Sequence, residues 1–289
     1  MSSPIWTRVA LSSEFRRFEG LCWRLVEAQH QVSTLKLTDT LAEQALLEDL
    51  IEATKPAVQD DARDLHYLLA TPFRYGAVYP SGSRFRRAGR TPGVFYAAED
   101  PATSVAEIAF YRLLFFAESP ATPWPENAAE YTAFSAAVST GRLLDLTREP
   151  LLQDSALWEN LTDYSASQAL ADAARAAETN VIRYRSVRDP GQGANLALLM
   201  SSAFASPAPL DRQTWRIRFS AFGVQALCEF PDRRLEFPRD AFAADPRIAG
   251  LDWDRGGGPE PPYRMVGMMK AESPTSPSGQ RAVTVLTLV

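Results

Sequence analysis

The sequence predicts an α+β fold, a mixed β core flanked by helices, and three observations carry that expectation. Asp100 to Glu118 and Tyr164 to Glu178 are helical by pattern, the first opening on Asp100-Pro101 and the second rich in alanine. Val181 to Val187 and Trp215 to Phe219 alternate apolar and polar residues with the period of a strand. No internal repeat, heptad or linker divides the chain, so residues 1–289 are expected to form one domain with a helical N-terminal portion.

The elements follow in order. Residues 1–20 read as an extended or helical lead-in, and Leu21 to Val26 as a strand interrupted by Arg24. Thr40-Leu-Ala-Glu43 fits a capping box, with Leu47, Leu50, Ile51 and Thr54 continuing one helical face until Lys55-Pro56 stops it. Asp60 to Asp64 connects to the apolar segment Leu65 to Leu69, and Thr71 to Tyr75 is a turn. A basic, glycine-broken loop begins at Ser81, Val94 to Tyr96 is a short strand, and the long apolar helix follows with Asp100 as its cap. Ser119 to Glu130 is a proline-rich surface loop, and Tyr131 to Leu146 reads as two strands joined by Thr140-Gly141. Leu151 to Leu161 is expected to be helical, Asp189 to Gly193 turns out of the 181–187 strand, and Asn195 to Met200 is apolar again. The C-terminal part, 210–289, is β-rich. It has a hairpin of Ala226 to Phe230 and Arg234 to Phe237, a loop over Arg255 to Pro262 and a last strand from Ala282 to Val289.

Composition bounds the function. An apolar content of 46% with 22% charged residues is that of an ordinary soluble protein, and a net charge of −5 counts against nucleic acid as the main partner. Cys22 and Cys228 stand alone in apolar contexts and are expected to be buried thiols. His30 and His66 lack the neighbours a metal site needs. The charged first 30 residues do not resemble a signal peptide, and no apolar run is long enough to span a membrane, so a cytoplasmic protein is expected. The nucleophile elbow, the phosphate loop and the dinucleotide glycine fingerprint are all missing.

One residue resists a structural explanation. From Val105 to Phe116 only Glu107 and Arg112 are charged, and they lie about 140° apart around the helix, too far to pair along one face. A carboxylate on a helix apolar nearly all round needs a partner from elsewhere or a chemical task. The other candidates each have a plainer reading. Arg84, beside Phe85, sits in a basic run that could be solvated, Tyr96 could be core, and Ser186, followed by Asn195, could simply end a strand.

Taken together, SRFR, GVFYAAED, TSVAEIAFYR and RYRSVRDPGQGANLAL resemble, in that order, the RES-domain family, over roughly Leu21 to Met200. The likeness is greatest to its longer members, the toxin halves of toxin–antitoxin pairs. LCWRLVEAQ looks like the family's opening strand, and residues 35–65 like a helical insertion after it. The resemblance implies an ADP-ribosyltransferase-like fold and NAD⁺ as substrate, with no metal. It implies Glu107 as the carboxylate facing the oxocarbenium-like transition state, with Arg84 and Ser186 as further catalytic residues. Tyr96 would give a flat face for nicotinamide and Tyr75 a pocket wall. Arg84, together with Arg24, Arg74 or both, would grip the pyrophosphate, and Ser186 and Asn195 would complete the NAD⁺ site. The acceptor could be water, phosphate or a protein side chain. An antitoxin that occludes the NAD⁺ pocket is the implied partner, and a protein target of ADP-ribosylation a further one, with no membrane and no direct nucleic-acid contact. The competing expectation is a non-catalytic nucleotide-binding or protein-interaction module in which Arg84 and Glu107 form an ion pair.

Overall fold

Among the described residues eight strands form one sheet: β1 (Arg16–Glu27), β2 (Phe95–Ala98), β3 (Ala129–Asp145), β4 (Val181–Arg185), β5 (Ala194–Leu198), β6 (Arg212–Ser220), β7 (Gly223–Cys228) and β8 (Arg233–Phe237). Their order is β1-β2-β5-β4-β3-β6-β7-β8, and β1 also pairs with β3, so the first five strands close on themselves while β6 to β8 extend from β3. The β3–β4 pairing is parallel and the others are antiparallel. The helices are α1 (Arg8–Ser13), α2 (Leu41–Thr54), α3 (Tyr67–Ala70), α4 (Pro101–Glu118), α5 (Ser155–Trp158), α6 (Ser165–Ala176) and α7 (Pro246–Ala249). This computed structural model describes residues 6–27, 37–54, 58–74, 82–89 and 92–255. The mixed α+β core expected from the sequence is therefore present.

Alternation along the strands divides the apolar residues among three clusters. All five strands of the closed part contribute to one: Cys22, Phe95, Ala97, Phe134, Ala136, Val181, Leu196 and Leu198 pack together, joined by Leu69 and Phe73 from the segment before β2. A second cluster lies between α4 and the extension, where Val105, Ala109, Phe110 and Leu113 meet Trp215, Ile217, Val224 and Ala226. In the third, Leu170, Ala171 and Ala174 of α6 cover Ile182, Tyr184 and Ala197. The alternation read from Trp215 to Phe219 is thus the inward face of β6. Both cysteines are buried free thiols.

Several boundaries differ from expectation for identifiable reasons. The opening strand is longer than Leu21 to Val26. Residues 129–145 form one continuous strand, because a register shift between Arg16 and Phe18 on β1 absorbs the extra residue near Gly141. The capping box of α2 is formed, Thr40 Oγ1 accepting from Glu43 N at 3.1 Å and Glu43 Oε2 from Thr40 N at 3.2 Å. The helix nevertheless turns its apolar side outward, with Leu46, Leu50 and Ile51 exposed. Its one buried residue among those described is polar, Gln44, and the exposed Glu52, two turns further on, is paired with Arg74. Leu151 to Leu161 yields only a 3₁₀ turn (Leu151–Asp154) followed by the single turn α5. The basic loop is not simply solvated, because Arg84, Phe85 and Arg86 are buried. Tyr75, the loop after Arg255, the strand expected at 282–289 and parts of the 35–65 insertion lie outside the described residues.

Candidate active site

Strand register brings the site together. β2, β5 and β4 align Ala98 with Asn195 and Asn195 with Tyr184, so these side chains share a face, and Ser186 continues it two residues beyond Tyr184. Helix α4, capped by Asp100 Oδ1 accepting from Ala102 N at 2.7 Å, carries Glu107 onto that face. There Ser186 Oγ and Asn195 Nδ2 each donate to Glu107 Oε1 at 2.6 Å. Hydrogen bonds of that length to a carboxylate are charge-assisted and strong. Among the described residues the other oxygen, Oε2, accepts no hydrogen bond. One oxygen is therefore fixed by Ser186 and Asn195, and the other is unengaged by the described residues.

The turn after β4 aims Ser186. Ser186 Oγ accepts from the amides of Arg188 at 3.2 Å and Asp189 at 3.0 Å, so its own proton is directed to Glu107. Asp189 anchors the turn in its place. It accepts from Gly191 N, from Gly193 N, and from Thr103 Oγ1 at 2.7 Å, one helical turn before Glu107 on α4. The packing leaves no room for a side chain at position 193, where a Cβ would lie 2.1 Å from Thr103 Oγ1.

Arg84 and Tyr96 border the same cluster. Tyr96 holds the 83–86 turn, its hydroxyl accepting from Phe85 N at 3.0 Å and sharing a proton with Ser83 Oγ at 2.8 Å. Arg84 is buried, stacks 4.9 Å over the Tyr164 ring and donates to the Trp158 carbonyl. Among the described residues it has no carboxylate partner, so the Arg84–Glu107 ion pair is not formed. Arg24 donates to the Tyr96 carbonyl at 2.8 Å and lies over the Phe95 ring, among the closed-sheet cluster rather than on the face of Glu107. Burial pulls its guanidinium down to about 10, which leaves it cationic at neutral pH. Arg74 is paired with Glu52 of α2. The structure thus unites Glu107, Ser186 and Asn195, places Arg84 and Tyr96 beside them, and gives Arg24 and Arg74 other partners.

Tyr111, Tyr164, Tyr184 and Arg188 complete the surroundings and were not singled out from the sequence. Burial pushes the Tyr184 hydroxyl well up, with the charge of Glu107 adding to it and that of Arg84 opposing it. Tyr111 is raised by burial, then by Glu107 and Tyr164. Both phenols therefore remain protonated donors near the carboxylate. Spacing offered a signal for two of them. Tyr111 follows Glu107 by one helical turn, and Tyr184 precedes Ser186 on one strand face. A cavity of about 300 Å³ adjoins Ser186 between Phe110, Arg185, Arg188, Phe242 and Asp245. Among the described residues no His, Cys, Asp and Glu side chains gather as metal ligands, and no helix is long and apolar enough to cross a membrane.

With helix, strands and carboxylate cluster in this arrangement, comparison with known proteins gives a class. The RES domain family model matches residues 58–220, more than half of the chain, and the chain belongs to that family. Among solved structures it is similar to the crystal structure of the M. tuberculosis MbcT–MbcA toxin–antitoxin complex, at 14% identity and a TM-score of 0.42, covering 72% of this chain and 91% of that one. No curated protein matches.

Proposed function

We propose that this protein breaks the nicotinamide–ribose bond of NAD⁺, with Glu107 as the catalytic carboxylate, and passes the ADP-ribose to an acceptor. The observation that carries the reading is the division of labour on Glu107, whose Oε1 is held by Ser186 and Asn195 at 2.6 Å while Oε2 accepts nothing from the described residues. In the reaction the bond between ribose C1′ and the pyridinium nitrogen breaks, and its electron pair neutralises the ring as nicotinamide leaves. Positive charge develops on the ribose and is faced by a carboxylate that needs no reorientation, the arrangement that lowers such barriers most. Water, phosphate or a protein side chain then bonds to C1′ and gives up a proton.

The other residues supply binding. Arg84 is a buried cation without a carboxylate partner among the described residues, which suits a pyrophosphate; for Arg24 or Arg74 to add a second guanidinium, it would have to exchange the Tyr96 carbonyl or Glu52 for the ligand. Tyr96 offers its ring, its hydroxyl being engaged in the 83–86 turn. Nothing in the step asks for a metal. The biological role that goes with this chemistry is a cytoplasmic toxin of a toxin–antitoxin pair, neutralised by an antitoxin that covers the NAD⁺ pocket. A non-catalytic module is disfavoured, since Arg84 and Glu107 do not neutralise each other.

Free nicotinamide is the product to measure. Purified protein incubated with NAD⁺ and phosphate, with and without cell lysate, should release it in proportion to protein added, whichever acceptor is used. Folded protein that releases none under either condition overturns the reading. Adenine-labelled NAD⁺ in the same lysate sorts the acceptors: label on a discrete protein band means transfer, and label in small molecules alone means hydrolysis or phosphorolysis.

A further inference from the structure

The turn that follows Ser186 is held by two clamps, Asp189 with Thr103 and Arg188 with Asp245, and the second comes from outside the stretch that the RES domain model matches. The match ends at residue 220. Asp245, beyond it, is the N-cap of α7 and is 2% exposed. Its Oδ2 accepts from Arg188 Nη1, forming an ion pair with both side chains 3% exposed. Arg188 is itself clamped. Nη2 donates to the Leu161 carbonyl at 2.6 Å and the Tyr164 hydroxyl at 3.0 Å, and the guanidinium stacks 4.0 Å over Phe110 of α4. The backbone of the same residue donates to Ser186 Oγ. A displacement of Arg188 would therefore move the amide that orients the Ser186 hydroxyl.

We propose that Asp245 is a positioning residue: through Arg188 it fixes the turn whose amides aim the Ser186 hydroxyl at Glu107, so the segment after residue 220 is part of the active-site framework. The proposal rests on the reading of Glu107 as the catalytic carboxylate. Asp245 touches no reacting atom. Its carboxylate also accepts from Arg247 N, Nε and Nη2, so it holds two arginines, and only one of them leads to the site. Arg247 is the natural control. It shares the same acceptor, also donates to the Leu161 carbonyl at 3.2 Å and lies 5.5 Å over Phe110, but it is about a third exposed and makes no hydrogen bond within the 186–189 turn.

The test compares Asp245→Asn with wild type in two backgrounds. In the otherwise wild-type chain the substitution should lower kcat for nicotinamide release about tenfold or more with KM for NAD⁺ changed less than about threefold, as expected when a reacting group is misplaced but binding is not. In a Ser186→Ala background the same substitution should lower kcat by less than about threefold, because the group it positions is gone. An equal loss in both backgrounds makes Asp245 merely structural and overturns the proposal. Arg188→Lys keeps the charge pair with Asp245 and gives up the second nitrogen, so it provides a milder variant should Asp245→Asn not fold. It should show the same dependence on Ser186. Arg247→Gln should leave kcat within about threefold of wild type, and a loss matching that of Asp245→Asn speaks against the route through Arg188. Amide hydrogen exchange over residues 186–193 separates this proposal from the function itself. Exchange should quicken there in Asp245→Asn and remain unchanged in β6, even if the wild-type protein releases no nicotinamide. Unchanged exchange at 186–193 overturns the positioning role by itself.

Discussion

On the carboxylate half of the site, Ser186 from the end of β4 and Asn195 from β5 both reach one oxygen of Glu107 at 2.6 Å. On the arginine half, Arg84, Arg24 and Arg74 are held by three separate parts of the chain: the Trp158 carbonyl, the Tyr96 carbonyl and Glu52. The first half converges on a single atom before any substrate arrives. The second is a set of cations whose guanidinium heads are each engaged by a different partner and share no target. A preformed half of this kind acts on the transition state, and a dispersed set of cations acts on the affinity for an anion. The two halves should therefore fail differently when altered.

The largest effect belongs to the converging half. Glu107→Gln keeps the shape and removes the charge, and should lower kcat for nicotinamide release about a thousandfold or more with little change in melting temperature. Ser186→Ala or Asn195→Ala frees one of the two bonds on Oε1 and should cost about ten- to a hundredfold in kcat, with KM much less affected. A predominant KM effect would remove the distinction between the halves. Arg84→Gln should do the opposite, raising KM for NAD⁺ about tenfold while kcat falls less, read from initial rates across NAD⁺ concentrations. The smallest effect is on stability. Gly193→Ala forces a Cβ to within 2.1 Å of Thr103 Oγ1 and should destabilise by about 1–3 kcal/mol in denaturant unfolding, loosening the carboxylate half without touching a charge.

The same contrast governs what could be read from sequence. Glu107 stood out because a charge on an apolar helix contradicts its surroundings, whereas Ser186 and Asn195 gained a role only through the resemblance to the RES-domain family, although strand alternation and a short intervening turn place them near each other. These are local patterns, and β4 and β5 are sequence neighbours that pair directly. The arginines carried no such mark. Arg24 lies in an apolar strand, Arg74 in a turn and Arg84 in a basic run, and their partners are 72, 22 and 74 residues away. Choosing between Arg24 and Arg74 depends on tertiary placement that no local pattern encodes. The capping box and apolar face of α2 were legible, but not the side it presents, for Leu46, Leu50 and Ile51 are exposed while Glu52 meets Arg74 22 residues away. Arg188 and Asp245 pair across 57 residues, from one side of the RES domain boundary to the other, and neither announces itself in the sequence.

The central claim is that Glu107 is held on one oxygen so that the other can meet the substrate. A crystal structure of Glu107→Gln soaked with NAD⁺ measures this directly. The account predicts the nicotinamide ribose hydroxyls within hydrogen-bond reach of the residue-107 amide, with Ser186 and Asn195 still on its other side. NAD⁺ bound with its ribose away from residue 107, or displacing Ser186 and Asn195 from it, would contradict the account.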